Sequence, residues 1–423
     1  MKTLIAFLMI ASFVNTSQSA VPGKKPDSGR LNLRIPSADR GKARSTYGIR
    51  KNPLRGVNRT GVIEELGGSA ETEAAVEKAL DWLTKKQKNE GNCGYWEETS
   101  SKVAHTGLAV LCYLSYGVKP TDKGQDGNLT PNAVALKKGM CWLVDQVDKD
   151  GNMRDGGKMY DQSIGALALG EAYGITGDKG CGLALGRATA FLVKAQNPET
   201  GGWRYQPHPN PPGKPASDLS VSGWVIMALR SAEMSGIRVP NEPLDKSKSY
   251  LDSVGSGTNI GKYKYHSNKV PDFCMTSVGM FCQQLFGTQP DSERQIESAA
   301  YINLHLPREQ QKNYYYWYYG TLATFLHGGK VWDEWNKKMK PIFLKKQNTD
   351  GSWKAEGKRA KKEGTHITTC WAALSLTVYY RYLAITNNGV RRMNLGKRAL
   401  ARPEIKATPR INLAPKALPQ KKN

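Results

Sequence analysis

No stretch of this sequence is long and charge-free enough to suit a bilayer core. The nearest, CWAALSLTVYYRYLAI (370–385), is interrupted by Arg381. Acidic residues are in short supply, with 37 Asp and Glu against 61 Lys and Arg, a formal net charge of +24. Cysteine is sparse too. There are seven, an odd count, and none precedes Cys93, which argues against a lipid-anchored N-terminus. Cys112, Cys274, Cys282 and Cys370 sit in apolar helical stretches, where cysteine behaves as a small buried hydrophobe. One disulfide drawn from Cys93, Cys141 and Cys181 is compatible with the pattern, and spacing does not choose the pair.

What is present at the start is Lys2, an apolar run from Leu4 to Val14, then small polar residues to Ala20. The run is too short to span a membrane and reads as a cleaved secretory signal over 1–20. The expected location is therefore secreted or periplasmic. The charge excess is concentrated at the ends. Residues 21–60 hold 11 Lys and Arg against 2 Asp, and residues 391–423 hold 10 against one Glu. With Lys2 also set aside, only +5 remains for residues 61–390. Both ends are rich in Pro, Gly, Arg and Lys and poor in large apolar residues, which predicts disordered basic segments over 21–65 and 389–423. Such tails suit an anionic envelope polymer or a membrane surface. Specific nucleic-acid recognition is not expected, because Tyr47 is their only aromatic for base stacking.

Between the tails, an amphipathic helix, a Gly-containing loop and a nearly all-apolar helix recur six times. The apolar members are AHTGLAVLCYLSYG (104–117), YDQSIGALALGEAYG (160–174), DLSVSGWVIMALRSAEMSG (218–236), DFCMTSVGMFCQQLFG (272–287), YYGTLATFLHGG (318–329) and HITTCWAALSLTVYYRYL (366–383). Gly107, Gly165, Gly223, Gly279 and Gly320 fall in what reads as one register, with Cys370 in the sixth place. Helices apolar on every side must be surrounded, whereas one-faced helices form an exterior. Six such pairs predict an all-α fold, an α/α toroid of six hairpins over 66–388, closed rather than open because neither end shows a polar capping face.

The loops read KKQKNEGNCGYWEE (85–98), VDQVDKDGNMRDGG (144–157), KAQNPETGGWRY (194–205) and KKQNTDGSWKAE (345–356). Each has a Gln at the end of the outer helix (Gln87, Gln146, Gln196, Gln347), passes a turn Gly, and then reaches Trp96, Met153, Trp203 or Trp353. The indole can pack over the helix end and the Gln amide, stapling one repeat to the next. This resembles the prenyltransferase and squalene-oxidase repeat, the Gln-Trp motif of squalene and hopene cyclases and of protein-prenyltransferase β subunits. It is strongest in GGWRYQPHPNPPGKPASDLSVSGWVIMAL (201–229).

The resemblance implies a terpenoid-cyclase-type toroid that binds, or transforms, an isoprenoid-like apolar molecule. In such toroids the N-terminal ends of the inner helices line a mouth, here occupied by His105, Asp161, Asp218, Asp272 and His366. His105, Asp161 and Asp218 are the candidate catalytic groups, although an Asp opening an apolar helix is also a preferred N-cap. The clustered Asp-x-Asp-Asp acid motif of the cyclases is absent. A lone Asp218 held as an anion at a helix N-terminus is the wrong form to protonate an alkene. By analogy with the β subunits, Asp272, Cys274 and His366 form a candidate zinc site with one open position. Lys361 and Lys362, in the basic stretch 354–366, are candidates to grip a diphosphate.

The block KNYYYWYYGTLATFL (312–326) places six aromatics in succession, which cover every face of a helix. Some must pack outward. Tyr315 and Tyr319 share one face with Tyr316 near it, and Tyr314, Trp317 and Tyr318 fall on another. Tyr315, Tyr316, Trp317 and Tyr319, with Trp224, are the candidate lining of an apolar cavity. Two other readings compete: a non-catalytic envelope-binding scaffold, and a polysaccharide-degrading α/α barrel, for which no carboxylate pair stands out.

Overall fold

A computed structural model describes residues 59–381, with residues 100, 156 and 210–212 excepted. The expected signal segment and most of both basic tails lie outside it. A short helix, α1 (Arg59–Glu65), extends the ordered body into the span expected to be disordered. Its Ile63 is buried, and Gly68 N–H donates to the Ile63 carbonyl.

Twelve further helices alternate between an outer and an inner set. The outer helices are α2 (Ala70–Lys86), α4 (Pro131–Asp145), α6 (Lys179–Lys194), α8 (Asn241–Ser253), α10 (Glu293–Asn303) and α12 (Gly329–Lys346). The inner ones are α3 (Lys102–Tyr116), α5 (Met159–Thr176), α7 (Leu219–Met234), α9 (Phe273–Leu285), α11 (Tyr314–His327) and α13 (Gly357–Leu376). A last turn, α14 (Val378–Arg381), follows α13. Burial follows the sequence logic: every residue of α3 from Val103 to Ser115 is buried, whereas α2 buries one stripe containing Val76, Leu80 and Leu83.

Each inner helix packs on the next, and α13 returns to α3, so the ring closes. Closure is held by Gln347 Nε2 donating to Ala75 O (2.7 Å), Trp82 Nε1 to Asp350 Oδ2 (3.1 Å) and Thr377 Oγ1 to Ser115 Oγ (2.9 Å). Two small antiparallel hairpins decorate the loops: β1 (Lys88–Glu90) with β2 (Cys93–Tyr95), and β3 (Gly255–Ser256) with β4 (Lys262–Tyr263). Cys93 and Cys141 form a disulfide that ties the first hairpin to α4, and Cys181 is free and buried.

The five inner glycines divide into two registers. A side chain at Gly107 or Gly223 would strike Ile164 or Val278 of the adjacent inner helix. At Gly165, Gly279 and Gly320 it would strike Met153, Tyr263 and Trp335, which come from loops or the outer layer. The basic stretch before His366 is also not a plain loop. It forms the first turns of α13, which break at Gly364 (φ 88°, ψ 169°).

Candidate functional site

The loop after each outer helix is built as the sequence suggests. Trp96, Trp203 and Trp353 donate their indole N–H groups to Leu83, Leu192 and Phe343 carbonyls at 2.7–2.8 Å. Their backbone N–H groups donate to Thr106, Ser222 and Thr369 hydroxyls at 2.9–3.0 Å. Tyr263 N–H does the same to Thr276 (3.0 Å), so in the loop between α8 and α9 Tyr263 stands where the others have a Trp. In the second loop, Met153 N–H meets Gln162 Oε1 at 2.9 Å, and Gln162 Nε2 donates to Gly151 O at 2.8 Å.

The chain then climbs to the mouth, where the second residue after four of the loop anchors reaches back to the preceding inner helix. Glu98 accepts from Thr365 and His366 N–H at the start of the final helical segment of α13 (3.0 and 2.5 Å). Asp155 accepts from Lys102 N–H at 2.7 Å. The carbonyls of Tyr205 and Tyr265 accept from Met159 (2.8 Å) and Leu219 (2.9 Å) N–H groups. Orphan N–H groups at helix starts need such partners, and carboxylates there also suit the helix dipole. The rim is thereby polarised, with Glu98 and Asp155 on one side and Tyr205 and Tyr265 on the other.

On the tyrosine side the walls are dense with hydrogen bonds. Asp218, fully buried, caps α7 through Val221 N–H (3.0 Å) and accepts from Ser220 Oγ (2.6 Å) and Arg204 Nη1 (2.7 Å). Burial pushes its carboxyl above the usual value, against the pull of Ser220, Val221 and Arg204. Arg204 also donates to Tyr265 OH (3.2 Å) and lies over the Tyr205 and Tyr265 rings at 4.6 and 5.6 Å. The two phenol groups meet at 2.6 Å, and Tyr160 OH meets Ser220 Oγ at 2.7 Å. Tyr205 keeps 37% of its surface exposed. The result is a partly exposed cluster of aromatic faces and hydroxyls, and Lys158, Lys264, His266 and Lys269, which adjoin it in sequence, are none of them buried.

The other expected mouth residues are engaged within the fold, although His366 Nε2 is buried without a hydrogen-bond partner. Asp161 is not the first residue of its helix; it sits at the third position of α5, accepting from Ser101 Oγ and from Lys158 N–H (3.3 Å). Asp272 caps α9 through Met275 N–H (2.8 Å), and burial raises its carboxyl despite that bond. His105 and His366 stand ring to ring, centroids 4.9 Å apart, at the α13–α3 junction. His105 Nδ1 lies 2.5 Å from Ser101 O and Nε2 3.3 Å from Thr99 Oγ1. Burial lowers the pKa of both histidines, that of His366 far below its ordinary value.

The expected zinc triad does not assemble. Asp272 and Cys274 begin α9 and His366 lies on α13, with α11 between them in the ring. Among the described residues, the one trio of ligand atoms within 4.8 Å of one another is Cys93, Cys141 and Asp145, whose two sulfurs are already bonded together. Lys361 and Lys362 are exposed on the first turns of α13.

The expected cavity lining is packed solid. Tyr316, Trp317, Tyr318 and Tyr319 show 0% exposure, so no water-sized void touches them. Tyr314 and Trp317 point outward onto Phe343 of α12 (5.9 and 5.5 Å). Tyr316 lies against Phe273 and Trp335 and donates to His305 O at 2.8 Å. Tyr315, Tyr318 and Tyr319 point into the ring, where they meet Trp224 and Trp371 at 4.9–5.8 Å among themselves and with these indoles. Tyr318 thus belongs with the inward group rather than with Trp317. Aromatics from α7, α11 and α13, which are not all neighbours in the ring, close its centre. The partly exposed aromatics are those of the Tyr205–Tyr265 cluster above.

Arg204, Tyr205, Tyr160, Tyr265 and Glu98 were not among the expected site residues. Their signal is positional: most belong to the two residues that follow each loop anchor.

No protein-family model matches the sequence, and no curated protein matches it. Solved structures do share its fold. A cellobiose 2-epimerase from Spirochaeta thermophila aligns with TM-score 0.50 and 12% identity, over 82% of this chain and 99% of that one. An α-1,6-mannanase of Salegentibacter sp., solved with α-1,6-mannotriose, aligns with TM-score 0.50 and 9% identity, over 73% and 99%. A type II terpene cyclase from Scytonema, solved with geranylgeranyl dihydroxybenzoate, aligns with TM-score 0.50 and 13% identity, over 73% and 97%. At these identities the likeness establishes the α/α toroid and nothing finer.

Proposed function

We propose that this protein is an exported binding protein of the cell envelope that holds an acidic polysaccharide on the Tyr205–Tyr265 cluster at the N-terminal ends of its inner helices. The observation that carries this reading is the contrast between centre and mouth. The ring centre is filled by Trp224, Trp371 and the Tyr315–Tyr319 group, which leaves no room there for a prenyl chain. The mouth offers an exposed Tyr205 face stiffened by Arg204 and Tyr265, with hydroxyls and basic side chains around it. Aromatic faces with a few fixed polar groups suit sugar rings, and Lys264 and Lys269 suit carboxylates. The basic tails would add avidity on the same polymer. The Cys93–Cys141 disulfide fits an oxidising compartment.

Binding rather than turnover is the proposed role because the mouth aspartates are occupied. Asp218 and Asp272 cap helices, and Asp161 holds Ser101. Calorimetric titration of the mature chain with a galacturonate hexamer and with neutral cellohexaose tests this reading. Binding of the acidic oligomer, weakened at least tenfold by Tyr205→Ala, supports it. Failure of both sugars, together with an isoprenoid lipid extracted from the purified protein, overturns it.

A further inference from the structure

Helix α10 turns an apolar stripe toward solvent. Ile296, Ala300 and Leu304 recur at helical spacing and are all exposed, Ile296 to 53% and Leu304 to 72%. The helix already buries another face, with Ala299 and Ile302 in the core. A one-faced outer helix has no structural need for a second apolar stripe. Single exposed apolar residues call for no explanation, but an aligned set that runs into a groove does.

Leu304 stands at such a groove, a cavity of about 650 Å³ between the loop 303–310 and α12. Its lining is apolar at Leu306, Pro307, Pro341 and Ile342. Around these, Arg308, Lys337, Lys338 and Lys345 set four cations against the one carboxylate of Glu309. Lys345 already pairs with Glu309 at 2.8 Å. Arg308, Lys337 and Lys338 are exposed and have no carboxylate partner among the described residues. The groove also offers groups that suit a peptide backbone. Pro341 lies inside α12 and has no N–H, so the Lys337 carbonyl lacks its helical donor. Asn303 and Gln310, both exposed lining residues, carry amides that can donate and accept.

Charge narrows the choice of occupant. The chain's own ends are strongly basic, with 11 Lys and Arg against 2 Asp over 21–60 and 10 against one Glu over 391–423, so the groove repels them. A purely anionic polymer would meet the cations and leave the apolar lining and the Ile296–Leu304 stripe unused. We infer that this groove docks a segment of a partner protein that is both acidic and apolar, its carboxylates on Arg308, Lys337 and Lys338 and its apolar side chains on Leu304 and Ile342. The groove shares no residue with the Tyr205–Tyr265 cluster, so the inference stands or falls apart from the polysaccharide reading.

The probe is a random-peptide phage library panned on the mature wild-type chain, with counter-selection on the Lys337→Glu/Lys338→Glu variant. The leading peptide is then synthesised with a fluorescent label and titrated by anisotropy. All substitutions lie on exposed side chains, and unchanged melting temperatures verify that the variants fold. The inference expects enriched peptides that combine Asp or Glu with large apolar residues. It also expects binding that weakens with added salt, falls about tenfold in Lys337→Glu/Lys338→Glu, and falls severalfold in Leu304→Ser. Failure to enrich any peptide on wild type over the double variant overturns it. So does a leading peptide that binds all the folded variants alike. Enriched peptides that are acidic without apolar residues, indifferent to Leu304→Ser and displaced by the galacturonate hexamer, overturn it as well and leave a surface for anionic polymer.

Discussion

Trp224 and Trp371 face each other from opposite sides of the inner ring, centroids 6.0 Å apart with planes at 84°. An edge-to-face pair at that separation means the lumen is closed at this level. Trp224 also stacks on Tyr318 at 5.8 Å, so its removal empties the point where three helices converge. Trp224→Ala should cost about 3–5 kcal/mol, the range for deleting a large buried aromatic. Chemical denaturation measures it, and a loss below about 1 kcal/mol would mean the centre is looser than its burial implies.

The Arg204–Asp218 pair predicts an asymmetric pair of variants. Asp218 is fully buried, and Arg204 keeps 15% of its side-chain surface. Arg204→Met strands a buried carboxylate and should cost about 3 kcal/mol at neutral pH. The cost should shrink in acid, because a stranded Asp218, already raised by burial, can fold protonated. Asp218→Asn keeps the cap on α7, leaves Arg204 a route to water, and should cost less. Melting temperatures of both variants at pH 7 and pH 4.5 check the order.

Much of the fold was legible in the chain because all-round apolar helices have no solution except to be enclosed. The inner helix AHTGLAVLCYLSYG and the striped helix 69–87 are told apart by periodicity alone, and six such pairs fix the layers. The Gln and Trp spacing fixed the loops, with two exceptions of substance: Tyr263 replaces a Trp, and Gln162, on the inner helix, serves the second loop. The site was harder to read. Glu98, Asp155, Tyr205 and Tyr265 act on helices of the preceding repeat, and Glu98 reaches 268 residues along the chain to His366. A linear pattern does not carry that pairing. The aromatic block misled for a related reason: its inward rings find partners across the ring, on α7 and α13, and so fill the space they were expected to line.

The second loop gives a direct contrast. Gln162 donates to Gly151 O and accepts from Met153 N–H, both buried. Gln162→Ala leaves both backbone groups without a partner and should cost about 2–3 kcal/mol. Gln146→Ala, at the position the sequence pattern favours, should stay within about 0.5 kcal/mol, as surface changes do. Urea denaturation of the two variants separates them, and equal losses would show that Gln146 shares the role.

The Cys93–Cys141 disulfide closes a sequence separation of 48 residues and fastens the first loop to α4. Paired replacement of both cysteines by Ser should lower stability by about 2–4 kcal/mol, chiefly by freeing the unfolded chain. The five remaining cysteines are buried, so wild type under non-reducing conditions should show no thiol reactive to a soluble maleimide until it unfolds. Rapid labelling of a folded thiol would contradict the pairing.

The His105–His366 junction sets the response to pH. Burial favours the neutral form of both rings; a protonated His105 would further oppose a charge on His366, while Ser101, Glu98, Asp155 and Glu97 pull the other way at His105. Their folded pKa values thus lie below the ordinary 6.5. Above that value both states are neutral and the full stability is present. As pH falls through 6.5 the unfolded chain takes up two protons that the folded chain refuses, so stability declines toward acid. Each histidine contributes a slope of at most about 1.4 kcal/mol per pH unit. Unfolding free energy should therefore drop between pH 7 and pH 5. His366→Phe, which keeps an aromatic ring in the box formed by Trp82, Trp96 and His105, should remove roughly half of that drop. Denaturant melts at pH 7, 6 and 5 on both proteins decide it. A variant with the same acid slope as wild type would place the titration elsewhere in the chain.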